Sequence, residues 1–152
     1  MPRVEEQALA LADAIEAALP SWVERSVVRV MMAWKGQVDQ ALRDAAAEAG
    51  QKAVAEVGPQ VRALLAADID EQHTTPLSLL RGAVRYPTAV LAEAEVPPVA
   101  RDDQQEHLFP DDVYDLAPAT FTDVDPSLMD VGLAWGAAKA FEHLQRHKVG
   151  KE

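Results

Sequence analysis

A chain of 152 residues, 49% of them apolar, has material for one buried core, and at that length folding hides roughly 68–70% of the surface the unfolded chain exposes. It has no Cys, which excludes disulfides, thiolate metal sites and a Cys nucleophile. Its net charge of −11 is repelled by phosphate backbones and argues against direct nucleic-acid binding.

Residues 4–19 predict a first helix, because Val4, Ala8, Leu11, Ile15 and Leu19 recur at helical spacing. No positive n-region with an apolar run opens the chain, and no stretch of about 18 apolar residues follows, so neither a signal peptide nor a membrane span is expected. With Cys absent, a cytoplasmic location is the expectation. Pro20 should stop the first helix. Ser21 and Glu24 then have capping-box spacing, opening a second helix with Val23, Val27, Val30, Met31, Trp34 and Val38 on one stripe. This helix is expected to run to about 35, with a weak break at Gly36 or continuation through Val38 and Leu42 as the alternatives.

Residues 38–68 are rich in Ala and Glu, with Val54, Val57, Val61, Leu64 and Leu65 as the stripe. Gly58-Pro59 should kink or break it, since Pro lacks an N–H and clashes with the preceding turn. A polar connection, Asp68 to His73, follows. Thr75 is an N-cap with Pro76 at the first helical position, ahead of Leu77, Leu80 and Val84. Tyr86-Pro87 should interrupt, and Thr88 to Glu95 can form one more short helix.

Residues 93–130 differ from the rest. They hold eleven acids against the single base Arg101, and five of the ten prolines. Repeated Pro and Asp oppose long helices. Yet Val96, Val99, Leu108, Phe109, Val113, Tyr114, Leu116, Phe121 and Val124 are interspersed, and a disordered acidic tail lacks such residues. The reading is an ordered, irregular, acidic Pro-rich strap over about 96–126, with one helical turn at 102–108. The last helix should start near Asp125-Pro126 or, better, near Asp130, and end near Lys148, leaving 149–152 disordered. Leu133, Ala137, Ala140, Phe141 and Leu144 line one side of it. Gly132, Ala134, Gly136 and Ala138 would let another helix approach closely. No period-two pattern persists and no repeat is present. The fold expected is all-α: five or six helices in a single domain, 1–152, with the strap before the last helix.

Two constellations could carry chemistry. His143 and His147 stand four residues apart on one helix face, a spacing used by metal sites. Further ligands for Zn, Fe or Mn would come from Asp103 and His107, themselves at i, i+4, or from His73 or Glu106. The simpler alternative, cations complementing the helix dipole in solvent, is preferred. The strap is the second. Asp111, Asp112 and Asp115 could bind a divalent cation through oxygen, although no EF-hand spacing appears. With Phe109, Tyr114 and Phe121 as anchors, the same strap could dock on a basic protein. The alternative, aromatics packed on their own domain and acids left in water, is preferred here too. Arg81 and Arg85 share a face and should pair with acids, those of the strap included. Trp22, Trp34 and Trp135 read as core. Thr75 reads as a cap rather than a nucleophile. No Gly-rich phosphate loop is present.

The run Thr75-Pro76-Leu77-x-Leu79-Leu80-Arg81, continuing through Ala83-Val84-Arg85-Tyr86-Pro87-Thr88, is joined by Val96-Pro97-Pro98-Val99 and by Phe109-Pro110-Asp111-Asp112-Val113-Tyr114-Asp115-Leu116. Together they resemble a family of short acidic helical proteins from high-GC, actinobacterial-type bacteria. The absence of Asn and the excess of Arg over Lys suit that origin. The resemblance implies a strap fixed in the fold and implies no activity. The function expected is a non-enzymatic accessory or regulatory protein that binds another protein, a basic one included, or self-associates. The alternative is a metal-binding helical protein with a divalent ion at His143 and His147.

Overall fold

The computed structural model describes residues 3–66, 75–98 and 112–150, with side chains to Gln145. Among them the chain is all-helical, with no strand and six helices, one of them a single turn. These are α1 (Val4–Lys35), α2 (Gln40–Ala66), α3 (Pro76–Gly82), α4 (Arg85–Glu93), α5 (Phe121–Val124) and α6 (Leu128–Gly150).

The break expected at Pro20 does not occur: α1 runs unbroken for 32 residues. Pro20 forfeits one bond to the carbonyl four residues back, a penalty of about 3 kcal/mol. The apolar stripe keeps its phase across it. Leu11, Ile15 and Leu19 before the proline, and Val23 and Val27 after it, are all fully buried, and each contributes roughly 1.5–3 kcal/mol. Burial outweighs the local rule. Ser21 and Glu24 therefore sit inside the helix and cap nothing, and the Ser21 carbonyl accepts from Arg25 Nε at 3.3 Å.

Gly36 ends α1 in the left-handed region (φ 71°), its N–H bonding the Met32 carbonyl. Asp39 opens α2 by accepting from the Leu42 N–H at 2.8 Å. The two long helices pack side by side along most of their length. At Gly58-Pro59, where a kink or a break is expected, α2 also runs on without a break, for the same reason. Val57, Val61 and Leu65 are buried in phase on both sides of it, while Pro59 faces outward. Arg62 ties the pair from the flank: Nε and one amino nitrogen reach the two Glu16 oxygens at 3.1 and 2.8 Å, and that amino group also meets Asp13 at 2.7 Å. Those acids raise the Arg62 pKa further.

Thr75 caps α3 as expected, its hydroxyl accepting from the Ser78 N–H at 3.1 Å. The interruption expected at Tyr86-Pro87 falls just before it, in the turn at Ala83-Val84 between α3 and α4, and Tyr86-Pro87 itself does not break the chain. It lies in the first turn of α4, where an N–H has no partner within the helix, so proline loses nothing there. Both short helices pack on α2, and α4 also reaches α1.

The strap is present as an irregular segment from Val96 to the start of α5 where it is described. The helical turn expected at 102–108 lies outside the described residues. Asp123 accepts from the Ala119 and Thr120 N–H groups and so starts α5. Asp125 accepts from the Ser127 N–H at 2.9 Å at the entry to α6. That bond, with Arg25 nearby, lowers the Asp125 pKa. The last helix begins at Leu128 and continues to Gly150, past its expected end. It rests on α1 and α5.

Candidate functional site

The residues expected to bind metal are not assembled among the described residues. His143 is exposed on α6. The side chain of His147, and all of Asp103, His107, His73 and Glu106, lie outside the described residues. Among the described residues no three His, Asp or Glu side chains are grouped to hold an ion.

The strap residues expected to meet a partner divide differently. Phe109 and Asp111 lie outside the described residues. Asp112 and Tyr114 point inward, 6% and 3% exposed. The Asp112 carboxylate accepts from the Leu116 and Ala117 N–H groups at 2.8 and 2.9 Å, satisfying two backbone donors that the strap would otherwise bury unpaired. The Tyr114 hydroxyl donates to the Val96 carbonyl at 2.7 Å, tying the middle of the strap to its start. Burial pushes the Tyr114 phenol above its ordinary pKa. Asp115 is exposed, with φ 56°.

Three arginines hold the strap down, and two of them were not singled out by sequence for that task. Arg25 donates to the Val124 carbonyl at 2.6 Å and lies 3.6 Å from the Asp125 carboxylate. Arg29 donates to the Asp115 carbonyl at 3.2 Å. Arg81 donates to the Pro118 and Ala119 carbonyls at 3.0 and 3.3 Å. Arg85 is used locally instead, on the Gly82 carbonyl and the Tyr86 hydroxyl. Tyr86 donates onward to Glu56.

Where strap and α1 meet they leave a trough with two chambers. A polar one of about 370 Å³ is lined by Trp22, Arg25, Ser26 and Arg29 against Asp115 and Asp123. An apolar one of about 380 Å³ is lined by Val30, Trp34, Pro97, Pro98 and Tyr114. Arg29 and Asp115 border both. Trp22 is core, as expected, but Trp34 is not. It is 41% exposed, with the Lys35 ammonium 4.5 Å from its ring centre. It stands in the last turn of α1, bordering the apolar chamber.

Among the described residues the most exposed apolar surface is on α6. The side expected to be its lining side faces out. Leu144 is 66% exposed, Leu133 63%, Met129 53% and Phe141 39%. Ala137 and Ala140 are exposed between them, and a Cβ on Gly136 would meet nothing within 4 Å. At 100° per residue these positions share an arc of roughly 140°. The buried residues Leu128, Trp135 and Ala138 lie opposite. Trp135 is core, as expected, although its indole N–H finds no acceptor among the described residues. Helix α6 therefore carries two apolar faces, and the body of the protein uses one.

None of the described helices is long and apolar enough to cross a membrane. Compared with protein-family models, with curated proteins and with solved structures, the chain matches none.

Proposed function

We propose that this chain is a non-enzymatic accessory protein that acts by docking another helix on the outward face of α6. One observation carries the reading: four large apolar side chains, 39–66% exposed, aligned on a single helix face. Single exposed apolar residues are ordinary, but a contiguous row is a mark of an interaction surface. The trough beside the strap supports a binding role less well. Arg25 and Arg29 there already donate to strap carbonyls, so we read it as the seam that seats the strap. The perturbed groups fit the same picture. Arg62, Tyr86, Tyr114 and Asp125 shift for reasons of burial and pairing within the fold.

The test is retention of binding proteins on the immobilised chain. The wild type is compared with the double variant Leu133→Glu/Leu144→Glu and with Leu9→Glu, which changes another exposed leucine, on α1. The double variant should lose what the wild type and Leu9→Glu retain. If the double variant keeps the same proteins, the α6 face is not the docking surface.

A further inference from the structure

The geometry points to a second copy of this chain as the occupant of that face: we propose that two α6 helices pack antiparallel about a two-fold axis near Ala137. The proposal rests on the reading of α6 as a docking surface and adds the identity of the partner. Three observations favour it.

The first is symmetry of the row. Met129 and Leu144 stand equally far from the midpoint between Gly136 and Ala137, about 11 Å each way at 1.5 Å per residue. Leu133 stands nearer on one side, Ala140 and Phe141 on the other. Antiparallel pairing sets Met129 beside the partner's Leu144, and Leu133 beside the partner's Ala140 and Phe141. The small residues meet at the axis, where backbones come closest. A row that reads alike in both directions is what an isologous contact requires, since one patch must complement itself.

The second is charge. The chain carries −11, but residues 128–150 hold Asp130 and Glu142 against Lys139, Arg146 and Lys148, a net of +1. Two copies can therefore meet through α6 without bringing their acids together, whereas contact through the strap would oppose them.

The third is area. The exposed face amounts to on the order of 500 Å² per chain. Two faces together bury ~1,000 Å², at the lower bound for a specific interface. The dimer expected is one in exchange with monomer, strengthened by added salt, which screens the residual repulsion between acidic bodies.

The experiment is sedimentation equilibrium of the full chain over a wide concentration range, joined to cysteine cross-linking in a chain that has no cysteine of its own. The wild type should rise with concentration from 16.5 kDa to twice that mass. In Leu133→Glu/Leu144→Glu the association should weaken by roughly a hundredfold or more, because each chain would bury two carboxylates without partners, four in the pair, while the helical circular dichroism stays unchanged. Under oxidation Ala137→Cys should cross-link between chains and Met129→Cys should not. Efficient cross-linking of Met129→Cys would mean a parallel pair and overturn the proposed arrangement. Undiminished dimer in the double glutamate variant would place the contact elsewhere. A wild type that stays at 16.5 kDa throughout overturns the second copy. In that case, loss of a retained protein in the double variant leaves the docking face standing, and retention of the same proteins removes both readings.

Discussion

Gly50 and Pro20 set how closely the two long helices run: a Cβ on Gly50 would lie 2.9 Å from both the Pro20 Cα and its carbonyl oxygen. The obstacle is backbone, which has no rotamer by which to retreat. Gly50→Ala gains helix propensity of roughly 1 kcal/mol but forces the helices apart at an overpacking cost of about 1–3 kcal/mol, so a net loss is expected. At Gly58 the corresponding carbon would meet only the Glu16 side chain, at 3.2 Å. That chain is held by Arg62 but need give only a few tenths of an ångström, and the gain in helix propensity offsets the disturbance, so Gly58→Ala should be near neutral. Urea unfolding of both variants measures the contrast, and equal losses would mean that the Gly50 contact is not what spaces the helices.

Asp112 should prove to be a structural residue. Replacing it with Ala leaves the Leu116 and Ala117 N–H groups without their acceptor, at about 1–3 kcal/mol for each one left unpaired. Asp112→Asn keeps one acceptor oxygen and should cost less. Hydrogen exchange of those two amides should accelerate in the order Asn, then Ala. Unchanged protection in Asp112→Ala would show that the strap is held without it.

Stability should fall above the ordinary tyrosine pKa, about 10. Tyr86 and Tyr114 are both raised above 10.0 in the folded state, chiefly by burial, with Glu56 adding to the effect at Tyr86. A raised folded pKa means that the native state holds its proton longer. The stabilisation is complete below the unfolded pKa and is lost as pH rises through the folded one. Urea midpoints should therefore decline more steeply in alkali for the wild type than for Tyr114→Phe. At neutral pH that variant should cost about 0.5–1.5 kcal/mol, the hydroxyl bond to Val96 being gone. Parallel alkaline profiles would contradict the inward placement of Tyr114.

The three tryptophans should divide one against two in acrylamide quenching. Trp34 is 41% exposed, whereas Trp22 and Trp135 are 4% and 7% exposed. Trp34→Phe should remove most of the quenchable emission and shift the remaining spectrum to the blue. A quenching curve unchanged by that substitution would mean that Trp34 is covered, which a partner on the end of α1 would also produce.

Much of the fold was legible, because a stripe of period 3.6 is a strong signal and Thr75-Pro76 is an unambiguous start. The two misplaced breaks share one cause. Pro20 and Gly58-Pro59 were read as punctuation, although Leu19 to Val23 and Val57 to Val61 keep four-residue steps across them. A local penalty is visible in the letters, whereas the burial that outweighs it depends on a neighbour they do not show. The same limit reversed α6. Periodicity identified its apolar row at Leu133, Ala137, Phe141 and Leu144, but the opposite row, with Leu128, Trp135 and Ala138, is the one that packs. A helix with two apolar sides does not declare from its own sequence which one faces home. The strap arginines were half seen. Arg81 was expected to hold acids nearby, but Arg25 and Arg29 bind carbonyls, and main-chain acceptors leave no trace in residue identity.

That choice of acceptor has an evolutionary consequence. Arg25, Arg29 and Arg81 grip the carbonyls of Val124, Asp115, Pro118 and Ala119, and every amino acid carries a carbonyl. The tether is therefore indifferent to what most of those positions display outward. Lineages could rewrite the solvent side of the segment, its acids included, and keep the same attachment. Asp112 and Tyr114 would be the fixed points, and the arginines on the helices would change more slowly than the segment they hold.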